Sequence, residues 1–367
     1  MFEDFAPKLA AVLTDYSAPI QKGEIGLIRT TTAAQPMIEA LAEAILRRGG
    51  HPIITAESPN TENLLMKLGD GDQIGFLNPL HMTAIEKADV MYSIIAPFNT
   101  KHGSRVDPAK QARRQEAYRS LWAVYHQRVG AQELRWNVAL WPTDAAAQEA
   151  EMSLLDYTEF VYRACALDQA DPVAYWKGFQ AQQERLVGWL KGKKCAVVKG
   201  PGIDMTFEFA GRPWASAHGN VNMPDGEIYC APLDESVNGR VEFSFPTVYN
   251  GREVNGVQLT FKDGLVIEDC AAKGEDFLRS RLAMDAGARR LGEFAIGNNP
   301  FIQQFTGETL FDEKIGGTIH MALGNAYTDV EGTNQSAIHW DMVHGMRDGG
   351  EIWIDGELFY RSGEFMV

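Results

Sequence analysis

Between Phe311 and Asp341 the chain reads FDEKIGGTIHMALGNAYTDVEGTNQSAIHWD. This span gathers two imidazoles (His320, His339), two flanking carboxylates (Glu313, Asp341) and one phenol (Tyr327). Imidazole and carboxylate together suit a hard-to-borderline divalent cation, and the same groups can move protons beside it. His339 and Asp341 are two positions apart, so an extended strand would project both to one face. An H-x-D pair alone is common by chance, and its setting adds the weight. His320 lies in TIHMALG, an apolar run of β character where an unpaired imidazole would be poorly solvated, and Asn334, Gln335 and Ser336 offer hydrogen bonds to the ligands from behind.

Two further carboxylates follow glycines: Glu227 in NMPDGEIYCAP and Glu293 in LGEFAIGNNP. Glycine permits a tight turn that aims the next side chain into a site, although a solvated turn glutamate is the commoner case. If all of these groups converge, they exceed what one ion takes from protein. Two ions a few ångströms apart, sharing a carboxylate, fit the excess. His51, His81, His102 and His126 have no carboxylates near them in sequence and read as ordinary surface or core histidines.

The elements that must position these groups are legible in outline. A length of 367 residues favours two domains, and 45% hydrophobic with 23% charged residues is the balance of a globular chain. A net charge of −15 disfavours nucleic acid and anionic membrane as partners. Glu3 and Asp4 stand where a secretory signal would be basic, no apolar run is long enough for a bilayer, and the four cysteines form no C-x-x-C pair. A cytoplasmic protein with reduced, mostly buried thiols is expected.

After an amphipathic first helix, GEIGLIRTTTAAQPMIEALAEAILRRGGHPIITAE reads as strand, turn, helix ending at Gly49-Gly50, and strand. That predicts an α/β N-terminal domain with a parallel sheet. Asp89–Ala96 and Trp136–Trp141 are further strands. The loop after Leu27-Ile28 is Arg-Thr-Thr-Thr, without G-x-G-x-x-G, which argues against a dinucleotide site. Lys110, Arg113 and Arg114 read as a solvated helix face, Thr143 or Asp144 as an N-cap, and Pro172–Lys191 as a long helix. Near residue 193 the pattern changes to period-two alternation, with Lys262-Asp263-Gly264 as a hairpin signal. Residues 1–193 are thus expected as the α/β domain, and 194–367 as an α+β catalytic domain with mostly antiparallel sheet.

The ordered motifs NMPDGE, LGEFAIG, LFDEKIGGTIHMALGNAY and NQSAIHWDM, with PTDAAAQEAEMSL and FVYRACALDQADPVAYW upstream, resemble the M29 metallo-aminopeptidases, the thermophilic aminopeptidase T group. The resemblance runs from about Trp136 to the C-terminus. It implies two divalent metal ions (zinc, cobalt or manganese) at Glu227, Glu293, Glu313, His320, His339 and Asp341, with Glu293 bridging. It further implies Tyr327 as a catalytic tyrosine, short peptides as substrates, and a homodimer enclosing a shared cavity. Glu313 or Glu227 would carry the proton to the leaving amine, and the Tyr327 hydroxyl would stabilise the oxyanion. Thr328 stands where the family often has proline, which bears on substrate preference. A ring-cleaving 2,5-dihydroxypyridine dioxygenase, related in fold, suggests an alternative with one non-haem iron on two histidines and Asp341. Glu227, Glu293 and Glu313 weigh against it, and the retained ligands weigh against an inactive binding module.

Overall fold

The computed structural model describes every residue except Met1, Pro59 and Asn250. The chain folds into two compact units, Met1–Lys177 with Gly219–Pro224, and Gly178–His218 with Asp225–Val367. The division falls inside the helix Pro172–Leu190, ahead of the change of pattern at residue 193.

The first unit is built on the parallel strands β1 (Ile25–Thr31), β2 (His51–Glu57), β3 (Val90–Ile95) and β4 (Arg135–Leu140), in the order β2-β1-β3-β4, with Asn222–Met223 alongside β4. The helix Gln35–Arg47 packs so tightly on β1 that a Cβ at Gly26 would lie 2.8 Å from Ile45. On another side, Leu27 and Met91 share a core with Ala84 and Ile85 of the helix Pro79–Lys87 and Leu121 and Tyr125 of the helix Arg119–Gly130. The Arg-Thr-Thr segment stays in β1, where the Thr30 and Thr31 hydroxyls donate to Ile94 O and Ala96 O of the next strand region. Thr143 caps its helix by accepting from Ala146 N.

The basic cluster keeps its expected exposure at Arg113, but Lys110 and Arg114 are half-buried. Lys110 Nζ donates to Met66 O at 2.7 Å, Arg113 to Gly71 O, and Arg114 pairs with Glu62 at 3.1 Å. All three cations tie their helix to the segment 62–76, through carbonyls of Met66, Gly71 and Phe76 and the carboxylate of Glu62. The thiols also differ in part: all four are free and Cys165 and Cys230 are buried, but Cys270 is exposed.

The second unit contains two large antiparallel sheets. One runs Leu265–Cys270, Gln258–Lys262, Asn238–Glu242, Ile203–Glu208, Cys195–Gly200, Glu351–Ile354, Glu357–Arg361 and Glu364–Phe365. Its first two strands form the expected hairpin, with Asp263 and Gly264 at φ 49° and 79°. The other comprises β5 (Ala215–Ala217), β6 (Glu227–Cys230), β7 (Leu291–Gly297), β8 (Thr318–Gly324) and β9 (His339–Gly345), in the order β9-β8-β7-β6-β5. Phe207 of the first sheet meets Phe294 of β7 with ring centroids 4.7 Å apart, and one apolar core spans both sheets.

Candidate metal centre

Pairing register places the chemistry. Across β6 to β9, Glu227 lies opposite Gly297, Ala295 opposite His320, Ala322 opposite both Glu293 and Asp341, and Gly324 opposite His339. Cross-strand partners share a face and alternate residues switch it, so all five polar side chains point to one side. The intervening Ile228, Phe294, Ile296, Ile319, Met321, Leu323, Trp340 and Met342 point to the other side and join the core. Alanines and glycines beside the ligands leave space for the imidazoles and carboxylates.

Glu293 reaches the polar face because β7 carries a bulge. Leu291 pairs with Leu323 but Glu293 pairs with Ala322, so Gly292 is an extra residue that inverts the alternation. A Cβ at Gly292 would lie 2.5 Å from Gly324 O and 2.6 Å from Asn325 O, which only glycine avoids. The glycine expected to make a turn makes a bulge within a strand. Gly292→Ala is therefore expected to cost about 2 kcal/mol in a urea unfolding measurement and to lower bound metal at the same time; unchanged stability and metal content would refute this role for the bulge.

Among the described residues, two clusters have ligand atoms within 4.8 Å of one another: Glu227, Glu293 and His320, and Glu293, His339 and Asp341. Glu293 belongs to both. Its Oε1 lies 3.8 Å from His320 Nε2, and its Oε2 lies 3.3 Å from His339 Nε2. The imidazoles are aimed from behind by main-chain carbonyls, His320 Nδ1 by Glu313 O at 3.1 Å and His339 Nδ1 by Asn325 O at 2.7 Å. Asn334 and Ser336 do not take this part. Asn334 donates to Gly287 O and Gly324 O, and Ser336 donates to Asp285, so both brace the loop that returns to β9.

Glu313, at the end of the short helix Thr309–Asp312, stands outside both clusters, and its Oε2 lies 2.8 Å from Lys314 Nζ. Lys314 also lies 2.8 Å from Glu227 Oε1, is 1% exposed, and is the site residue that sequence reading missed. The only hint was a lysine inside the acidic FDEKIGG run. The Tyr327 ring sits 4.7 Å from that of His339, and the residue keeps 44% exposure at the rim of the site.

Burial pushes the Glu227 carboxyl up to about 8 and Asp341 to about 7, the latter helped by Glu313. Burial alone would raise Glu293 as well, but its two histidine partners hold it down to about 2. His320 and His339 rise to about 9 and about 10, because the surrounding carboxylates outweigh burial. Glu227 Oε2 and Asp341 Oδ1 are buried without a hydrogen-bond partner among the described residues. Without metal, the four carboxylates are balanced by Lys314 and by protons held on the two histidines and on Glu227, protons that a divalent cation would displace.

A carboxylate–imidazole face of this kind defines a metal-dependent enzyme, and the comparisons give its class. The chain belongs to the thermophilic metalloprotease (M29) family, which it matches over residues 2–365, and it is a hydrolase. It is 29% identical to aminopeptidase 2 of Geobacillus stearothermophilus, over 98% of this chain and 97% of that one. In structure it resembles the wild-type AmpT of Thermus thermophilus, with a TM-score of 0.87 at 23% identity and full coverage of both chains. A 2,5-dihydroxypyridine dioxygenase from Pseudomonas putida KT2440 shares the fold more distantly, with a TM-score of 0.57 at 12% identity over 99% of this chain and 96% of that one. Among the described residues, no helix is long and apolar enough to cross a membrane.

Proposed function

We propose that the protein is a metallo-aminopeptidase that releases N-terminal amino acids from short peptides, acting as a cytoplasmic homodimer with two divalent cations (zinc, cobalt or manganese). The observation that carries this reading is the membership of Glu293 in both ligand clusters. Glu227, Glu293 and His320 would hold one ion, and Glu293, His339 and Asp341 the other. Bound there, the ions would supply an acidified water and a Lewis acid for the peptide carbonyl.

The remaining roles fall to residues that are not committed to those clusters. Glu313 would move the proton to the leaving amine from a carboxylate that charge keeps low: burial opposes ionisation, and Lys314 and His320 outweigh it. The Tyr327 hydroxyl would donate to the developing oxyanion from beside His339. The single-iron dioxygenase reading uses one triad only and leaves the unpartnered Glu227 Oε2 without a purpose.

Metal-loaded protein tested on dipeptides and aminoacyl anilides should release amino acids, stop with chelator and resume with added metal, at two ions per chain. Absence of release from the whole panel would end the peptidase reading. One iron per chain with oxygen uptake on a hydroxypyridine would replace it. Tyr327→Phe is expected to lower kcat by about 100-fold with metal content unchanged; near-normal kcat would remove Tyr327 from the chemistry.

A further inference from the structure

Lys314 is a fully buried cation in the midst of the acidic site. Its backbone is tied on both sides: Lys314 N donates to Phe311 O at 3.0 Å, and its carbonyl accepts from Asn299 N at 3.0 Å. The preceding carbonyl, Glu313 O, accepts from His320 Nδ1. The ammonium therefore hangs from a fixed point. It meets Glu227 Oε1 and Glu313 Oε2, both at 2.8 Å, with Asp225 Oδ1 at 4.0 Å.

We propose that Lys314 is a positioning residue that divides the carboxylates of this site into ligands and a non-ligand. By occupying Oε1 of Glu227 it leaves Oε2 alone for a cation, and that oxygen is the buried one without a hydrogen-bond partner, 3.4 Å from His320 Nε2. Glu227 is thereby a one-oxygen ligand. By holding Oε2 of Glu313 it draws that carboxylate away from both clusters, so Glu313 meets the substrate and not the ions. A lysine suits this task because a compact ammonium on a long stem can serve two carboxylates at once. The fixed charge also offsets part of the repulsion among the four acids and stays in place when metal is removed. This inference rests on the two-metal reading.

The test uses the full chain loaded with cobalt(II), read by cobalt per chain, visible absorption and dipeptide hydrolysis. Wild type with fewer than two cobalt ions would count against the two-metal reading itself, before any variant is considered. With two ions in wild type, Lys314→Ala is expected to lower kcat by about 100-fold while KM moves little, since the ligands are displaced but the substrate groove is not. Added n-propylammonium, which matches the deleted stem from Cγ to Nζ, should restore roughly tenfold of that loss by re-forming the charge-assisted bonds. Lys314→Met fills the space without the charge, so it should show an altered cobalt spectrum and no response to amine.

Glu313→Gln removes a carboxylate without unpairing Glu227, which guards against a simple folding failure. It should keep two cobalt ions and the wild-type spectrum. Loss of an ion from Glu313→Gln would overturn the assignment. So would a Lys314→Met enzyme with wild-type kcat and spectrum, or a folded, fully loaded Lys314→Ala enzyme that no alkylammonium ion revives.

Discussion

Glu293→Ala is expected to empty the whole centre rather than half of it. The other carboxylates in the clusters each serve one set of ligand atoms, but Glu293 serves both through its two oxygens. Dialysed protein should retain well under one ion per chain. Its kcat/KM should fall by at least about a thousandfold, because water without a cation beside it returns to its bulk acidity. Glu227→Ala and Asp341→Ala each disturb a single cluster and should leave the other partly loaded. The fold should survive, since β7 keeps its pairing on both sides and its core face of Phe294 and Ile296. A Glu293→Ala protein that keeps a full equivalent of metal and a tenth of the activity would show that the clusters are independent.

Removing the metal should make stability depend on pH in one direction. His320 and His339 titrate near 9 and 10 in the fold against an ordinary 6.5, so their contribution is complete below about pH 6.5 and is lost as pH rises through those values. Glu227 and Asp341 are held up to about 8 and about 7. Between their ordinary values and these, the fold keeps protons that the unfolded chain has released, and stability again falls as pH rises. Both pairs act together, and chelator-treated protein should melt at steadily lower temperature from pH 6 to pH 9. Metal binding runs the other way, since the ligands must shed protons to bind. At a free ion concentration of about 1,000 Kd, each site adds about 4 kcal/mol. The difference in Tm between loaded and stripped protein should therefore widen with pH in a calorimetric series. A constant or narrowing difference would contradict this electrostatic account.

Local periodicity carried much of this into the sequence. The βα units of the first unit, the Lys262-Asp263-Gly264 hairpin and the shared face of His339 and Asp341 each depend on residues within a few positions of one another. What could not be read depends on partners far apart in the chain. Gly292 looks like a turn glycine until the carbonyls of Gly324 and Asn325 arrive above it. Lys314 follows a short helix and carries no sign of burial until Glu227, from strand β6, pairs with it. Lys110, Arg113 and Arg114 have an ordinary amphipathic spacing, and only tertiary packing shows that they also reach carbonyls of the segment 66–76. The histidines lean on main-chain carbonyls rather than on Asn334 or Ser336, and a carbonyl acceptor leaves no mark on residue identity.

Strands β6 to β9 carry the ligands on one face and the core on the other, and this behaves like a reading frame. Deleting one residue within β8 would send His320 into the core and Met321 into the metal face, with Leu323 crowding the space that Ala322 leaves beside Glu293. The bulge at Gly292 is a single frameshift already written into β7, and it is the shift that puts Glu293 in phase. Relatives that differ in length should therefore place their insertions in the connections between strands and not within them, since only the strands have a phase to keep.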